Sequence, residues 1–335
     1  MLAVLLAALA AVADFGANPG ALDMYEHVPA DLPANAPLVV VLHGCTQTAA
    51  AMETAGWNAL ADAGHFAVVY PQQRSANQPL SCFTWYAPGD ISRDMGEAAS
   101  IMAMVDHEIA THAIDPARVY VTGLSAGGAF TAVLLAAYPD RFAAGSSMSG
   151  IPYGCATDVS SATTCQRGVT KTAAQWGDLA RAADPAFTGP YPRLQIWQGT
   201  ADTTVDPSNA TALVEQWTNI RGAASTPDTT DTISTATRTR YAAGAVELYL
   251  VSGMGHAIAT GADDLGTCPA GGGAYFADEA ICSTLRAAEF FGLAAGSGGS
   301  DGEQPPEMTK SDGGCNVGGT PGWALALLLV RRRRR

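Results

Sequence analysis

Residues 118–130 read RVYVTGLSAGGAF. A β-branched and aromatic run, Val119 to Thr122, leads into Gly123-Leu124-Ser125-Ala126-Gly127, and Gly128 opens a stretch of small and apolar residues. The run has the composition of a buried strand, and the stretch after it that of a helix. A serine between glycines at such a junction marks a strained strand-to-helix turn that lifts one hydroxyl off the end of a sheet. Side chains two positions to either side would collide there, which requires Gly123 and Gly127. Gly128 lets the helix approach the sheet closely. The helix N-terminus turns amide N–H groups and the positive end of a dipole toward any negative charge developing beside Ser125.

A serine hydroxyl is a weak nucleophile until a base takes its proton and a carboxylate orients that base. Where the serine sits on a turn of this kind, the chain order is serine, acid, histidine. Of six histidines, at 27, 43, 65, 107, 112 and 256, only His256 follows Ser125; it lies in LVSGMGHA, just past an apolar run. His256 is therefore the expected base. Asp202, three residues beyond Gly199 in IWQGTADTTV, is the expected acid, with Asp206 the alternative. An oxyanion needs two donors. One is expected from the Ala126 amide. The other is assigned to the Cys45 amide in LHGCTQT, where Gly44 permits a close turn. Cys45 is disfavoured as a nucleophile because no glycine elbow follows it. Trp85, near Cys82, is the aromatic expected to touch substrate.

Apolar runs at 37–44, 66–71, 118–123, 142–150, 193–199 and 246–253 read as strands. Helical stretches are expected near 49–63, 94–112, 126–138, 208–220 and 279–291. Nearly continuous apolar strands alternating with helices predict an α/β fold, a mostly parallel sheet with helices on both faces. Chemistry then belongs at the carboxyl ends of the strands. Residues 151–192 read as an excursion over the sheet's edge, and the threonine-rich 226–240 as a surface hairpin or loop.

The 335 residues carry a net charge of −13, and five of the 18 basic residues are the terminal Arg331–Arg335. So acidic a surface argues against nucleic-acid binding. Residues 1–13 have the apolar stretch and small residues of a secretory signal. Of seven cysteines, at 45, 82, 155, 165, 268, 282 and 315, none forms a C-x-x-C pair. In an oxidising compartment the first six are expected to pair as Cys45–Cys82, Cys155–Cys165 and Cys268–Cys282, each bracketing one loop. No H-E-x-x-H pattern and no G-x-G-x-x-G after the first strand occur, so no metal and no cofactor are expected. The catalytic domain is expected over 14–293, a glycine-rich linker over 294–314 and a tail over 315–335. The tail's apolar run, Trp323–Val330, is far shorter than the roughly 20 residues of a membrane span. With its cysteine and arginines the tail resembles the C-terminal sorting signal of myxobacterial surface proteins, which implies attachment to the cell envelope.

From residue 37 to 293, the strings VVLHGCTQTAAAM, AGWNALADAGHFAVVYPQQ, CFTWY, GEAASIMAMV, VYVTGLSAGGAFTAVLLAAYPDRFAAGSSMSG, QWG, GTADTTVDPSNA and GMGHA occur in order. Together they resemble the extracellular polyhydroxybutyrate depolymerase family of esterases. The resemblance implies the α/β-hydrolase fold, Ser125, Asp202 and His256 as nucleophile, acid and base, and the HGC loop as oxyanion donor. It implies hydrolysis of carboxylic esters through an acyl-enzyme, of polyhydroxybutyrate-type polyester or its oligomers, outside the cell or at its surface. The family usually has histidine where Gln198 stands here. No polymer-binding domain follows the linker, so removal of feruloyl or acetyl groups from plant polysaccharide is the alternative. From another class, a non-catalytic surface-binding protein would be expected to lose the serine or histidine that this chain keeps.

Overall fold

The computed structural model describes residues 9–293. Most of the signal-like segment, the linker and the tail, with Cys315, lie outside the described residues. The strands in chain order are β1 Ala10–Val12, β2 Asp23–His27, β3 Leu38–Leu42, β4 Ala67–Gln72, β5 Val119–Leu124, β6 Ala144–Met148, β7 Arg193–Gly199, β8 Thr229–Ile233, β9 Ala236–Tyr241, β10 Val246–Val251, β11 Ile258–Thr260 and β12 Phe276–Asp278. The first ten form one sheet in the order β1-β2-β4-β3-β5-β6-β7-β10-β9-β8. Its six central strands, β4 to β10 in that order, are parallel, and the pairs at either end are antiparallel.

Alternation along β3 explains why both faces are covered. Leu38, Val40 and Leu42 join one apolar cluster, with the helices Gly96–His112, Ala126–Ala137 and Ser208–Ile220. Val39 and Val41 join a second, with Ala49–Glu53, Trp57–Gly64 and Ser283–Phe291. Successive side chains on a strand point to opposite faces, so a strand buried on both sides must be apolar throughout.

The six strands expected from apolar runs are the parallel core, and 226–240 is the β8–β9 hairpin. The excursion 151–192 holds two helices, Val159–Gln166 and Ala173–Arg181. It is docked by Gln216, whose amide donates to the carbonyls of Tyr153 and Trp176 at 3.0 Å each. Part of the signal-like segment, Ala10–Val12, pairs with β2 as an edge strand, Ala10 opposite Glu26. Cleavage after Ala13 would leave β2 at that edge. Among the described residues no helix is long and apolar enough to cross a membrane.

Candidate active site

The strand order turns back at β3, whose neighbours are β4 on one side and β5 on the other, and open α/β sheets bind ligands at such a switch point. Leu42 of β3 is in register with Gly123 of β5, so the turns after them, at Gly44-Cys45 and at Ser125, are neighbours. Ser125 has φ 59° and ψ −117°, a strained conformation for a residue with a side chain. Its N–H donates to the Met148 carbonyl at 2.8 Å, and its carbonyl accepts from the Ala129 N–H at 2.8 Å. The hydroxyl does not cap the helix, and Ser125 is half-buried.

The glycines are required by contact. A Cβ on Gly127 would lie 2.4 Å from the Leu42 carbonyl oxygen, and one on Gly123 2.5 Å from the Gly127 carbonyl carbon. On Gly128 it would lie 2.5 Å from the Met148 oxygen.

The loop after β3 is tied on three sides. The Gly44 N–H donates to Gln47 Oε1 at 2.8 Å, the Thr46 N–H to the Leu80 carbonyl at 2.7 Å and the Gln47 N–H to the Gly44 carbonyl at 3.2 Å. Between them, among the described residues, the Cys45 N–H has no acceptor, and neither has the Ala126 N–H at the first position of its helix. Cys45 is disulfide-bonded to Cys82, with Cα atoms 4.2 Å apart, which removes it as a nucleophile. The other four cysteines are bonded as Cys155–Cys165 and Cys268–Cys282.

Beneath the loop lies His43, fully buried. Its Nε2 accepts the Gln73 N–H at 3.0 Å, so the ring proton sits on Nδ1 and is donated to the Gly44 carbonyl at 2.8 Å. Burial, opposed by that hydrogen bond, lowers His43 to about 4, which keeps the ring neutral. Gln73 extends the support, its side chain donating to Glu97 and to the Cys82 carbonyl.

The other half of the site stands at β7 and β10, where Gly199 is in register with Val251. A Cβ on Gly199 would lie 2.3 Å from the Met254 carbonyl oxygen, so only glycine lets the loop after β10 fold over this strand end. The Ala201 N–H donates to that same Met254 oxygen at 3.0 Å. The two loops bring His256 Nδ1 within 2.8 Å of Asp202 Oδ2. Asp202 is buried, and its Oδ1 accepts the N–H groups of Thr204 at 2.8 Å and Val205 at 2.9 Å. Burial pushes its pKa up. The hydrogen bond from His256 leads the groups that outweigh burial and hold it below the usual carboxylate value. Asp206, the alternative acid, accepts the Ser208 N–H at 2.9 Å instead.

Gln198 and Tyr275 are neighbours of Asp202 and His256 that the sequence did not single out for a role. Gln198 Nε2 donates to Asp202 Oδ2 at 3.1 Å and to the Val205 carbonyl at 3.2 Å, bracing the carboxylate oxygen that the backbone amides do not meet. Tyr275 is 41% exposed, lies edge-on to His256 with ring centroids 6.2 Å apart, and has its hydroxyl 3.5 Å from Thr46 Oγ1. It spans the two halves of the site. Its one sequence signal is that it stands two residues past the glycine run 271–273 inside the Cys268–Cys282 loop. Trp85 is 5% exposed and packed edge-on against Tyr86, which leaves little of its ring for a substrate.

A doubly covered, mostly parallel sheet with a serine on this elbow is the architecture of the α/β-hydrolase fold, and the chain is a carboxylic ester hydrolase. Residues 23–241 match the Esterase PHB depolymerase family, and the chain belongs to it. It is 50% identical over 295 residues to "Poly(3-hydroxyalkanoate) depolymerase C" of Paucimonas lemoignei, covering 85% of this chain and 70% of that one. It is 37% identical to "Feruloyl esterase B" of Talaromyces funiculosus, over 77% and 75% of the two chains. Among solved structures, an acetyl xylan esterase from Aspergillus awamori superposes with a TM-score of 0.74 at 27% identity, covering 86% of this chain and all of that one.

Proposed function

We propose that Ser125, His256 and Asp202 form a catalytic triad, with the amides of Cys45 and Ala126 as the oxyanion hole, and that the natural substrate is a poly(3-hydroxyalkanoate) or its oligomers. The observation that carries the chemistry is the pairing of two acceptor-free amides beside a strained serine with an Asp–His hydrogen bond at the same sheet end. With Nδ1–H held by Asp202, the His256 Nε2 is free to take the Ser125 proton as Oγ attacks the ester carbonyl. The carbonyl electron pair moves onto oxygen, where the two amides hold it. Collapse breaks the bond to the alcohol, which leaves with the proton from His256. Water then repeats the sequence on the acyl-enzyme and frees Ser125. No metal or cofactor takes part in this scheme.

The substrate class rests on the 50% identity to the Paucimonas lemoignei depolymerase over most of this chain. A second reading, feruloyl or acetylxylan esterase, is favoured by complete coverage of the Aspergillus awamori enzyme. A panel of 3-hydroxybutyrate oligomers, methyl ferulate and acetylated xylan separates them. The expected result is kcat/KM at least tenfold higher on the oligomers. A preference for ferulate or acetylxylan would replace the first reading with the second. Export fits the three disulfides, which persist in oxidising compartments. The tail's resemblance to a sorting signal supports attachment to the cell envelope.

The Cys45–Cys82 bond closes a loop with a sequence separation of 37, worth about 4 kcal/mol in the chain-entropy model. Replacing both cysteines with alanine should lower Tm. It should also lower kcat about tenfold, a fraction of the 10²–10³ that a complete donor supplies. Unchanged kcat with lowered Tm, by steady-state kinetics and calorimetry, would mean that the bond serves stability alone.

A further inference from the structure

Away from the site, the last turn of the helix Gly96–His112 faces β2. Glu108 and His112, four residues apart on one face of that helix, meet Glu26 of β2, and one ligating atom from each lies within 4.8 Å of the others. Glu108 is fully buried. Four atoms have no hydrogen-bond partner among the described residues: both carboxylate oxygens of Glu108, Oε2 of Glu26 and Nε2 of His112. Buried polar atoms in native proteins are nearly always satisfied, so orphaned atoms of three residues gathered within 4.8 Å call for a common partner.

A proton shared between the two carboxyl groups is the simplest partner. Burial, then the close approach and the charge of Glu26, push Glu108 up to about 9. One proton, however, bridges only two oxygens. It leaves the second Glu108 oxygen unpaired, and His112 Nε2 with only its 3.5 Å approach to Glu26. A divalent cation takes one ligand atom from each of the three residues and cancels the two carboxylate charges. The donor set, one imidazole nitrogen and two carboxylates, suits Zn²⁺ and not Ca²⁺ or Mg²⁺, which take oxygen ligands. His112 Nε2 and Glu26 Oε2 are 3.5 Å apart. Two ligands about 2.1 Å from a tetrahedral zinc ion sit about 3.4 Å apart. Both side chains keep some solvent exposure, 23% and 18%, so the cluster lies close to the surface.

We propose that Glu26, Glu108 and His112 form a structural binding site for a divalent transition-metal cation of the Zn²⁺ type, clamping the end of the helix to β2. This reading does not depend on the catalytic assignment. It differs from the sequence expectation of no metal, which was drawn from motifs within one segment, because these ligands come from two.

The test uses the full, oxidised chain, stripped with a chelator and titrated with Zn²⁺ alone, Ca²⁺ and Mg²⁺ serving as controls. Elemental analysis after desalting is expected to find about one zinc per chain. Tm should rise by about 5 °C at a hundredfold excess over Kd. Ester hydrolysis by the folded enzyme should stay the same with or without the ion. Glu108→Gln, which keeps the side-chain volume, and His112→Gln, at a partly exposed helix end, should each weaken Zn²⁺ binding at least tenfold. Equal zinc content and equal Tm shift in the wild type and both variants would overturn the site. So would a wild type indifferent to Zn²⁺ alongside a Glu108→Gln variant of equal or higher Tm, the signature of a shared proton only.

Discussion

Ser125→Ala should lower ester hydrolysis by about 10⁵–10⁶-fold while Tm changes little. Alanine keeps the Cβ that the turn already accommodates, and Ser125 Oγ caps no helix. The amides of Cys45 and Ala126 remain in place, so weak residual catalysis over water is expected. Active-site labelling gives the sharper readout. A fluorophosphonate should modify the wild type once per chain and leave the variant unmodified. Equal labelling of both would remove Ser125 from the chemistry.

Asp202→Asn should cost about 10⁴ in kcat. In the proposed triad the carboxylate holds the proton on His256 Nδ1, 2.8 Å away, and leaves Nε2 free to act as base. An asparagine oxygen would still accept the amides of Thr204 and Val205, which now meet Oδ1. The Nδ2 group would then take the place of Oδ2. It would present donors to His256 and to the Gln198 amide, which also donates. The ring would be driven to the wrong tautomer, so the loss should fall on kcat with little change in KM. Asp206→Asn, which touches only the Ser208 amide, should leave kcat within a factor of about two. The reverse ranking of the two variants, measured on one soluble ester, would make Asp206 the acid.

The central sheet was legible because its strands are buried on both faces and so carry almost unbroken apolar runs. β2 was not. Its sequence is DMYEH, and only Met24 of the five residues is buried, so no apolar run announces it. β1 lay hidden inside a segment whose composition also fits an export signal. The helix Ala173–Arg181 did have a signal. Thr172 and Gln175 form a reciprocal cap, the T-x-x-Q pattern readable in the sequence. At the site, chain order alone selected His256, and position after a strand selected Asp202. What no local pattern could show is which loop amides tertiary contacts have already claimed. Gly44 is claimed by Gln47 and Thr46 by Leu80, and only the folded chain reveals that Cys45 is left over. Gln198 was visible only as a departure from the usual histidine, because its contact to Asp202 depends on how the strand end curls back.

The three disulfides join the first cysteine to the second, the third to the fourth and the fifth to the sixth. None encloses or crosses another. Of the 15 ways to pair six cysteines, this is the one obtained by joining each to its neighbour in order of appearance. A chain threaded amino-terminus first into an oxidising compartment meets an oxidase in just that order. Each bond can close before the next pair has arrived, with no wrong partner yet present and no isomerase needed to correct it. Biogenesis would then be limited by assembly of the sheet, and host strains lacking disulfide shuffling should still yield correctly oxidised enzyme.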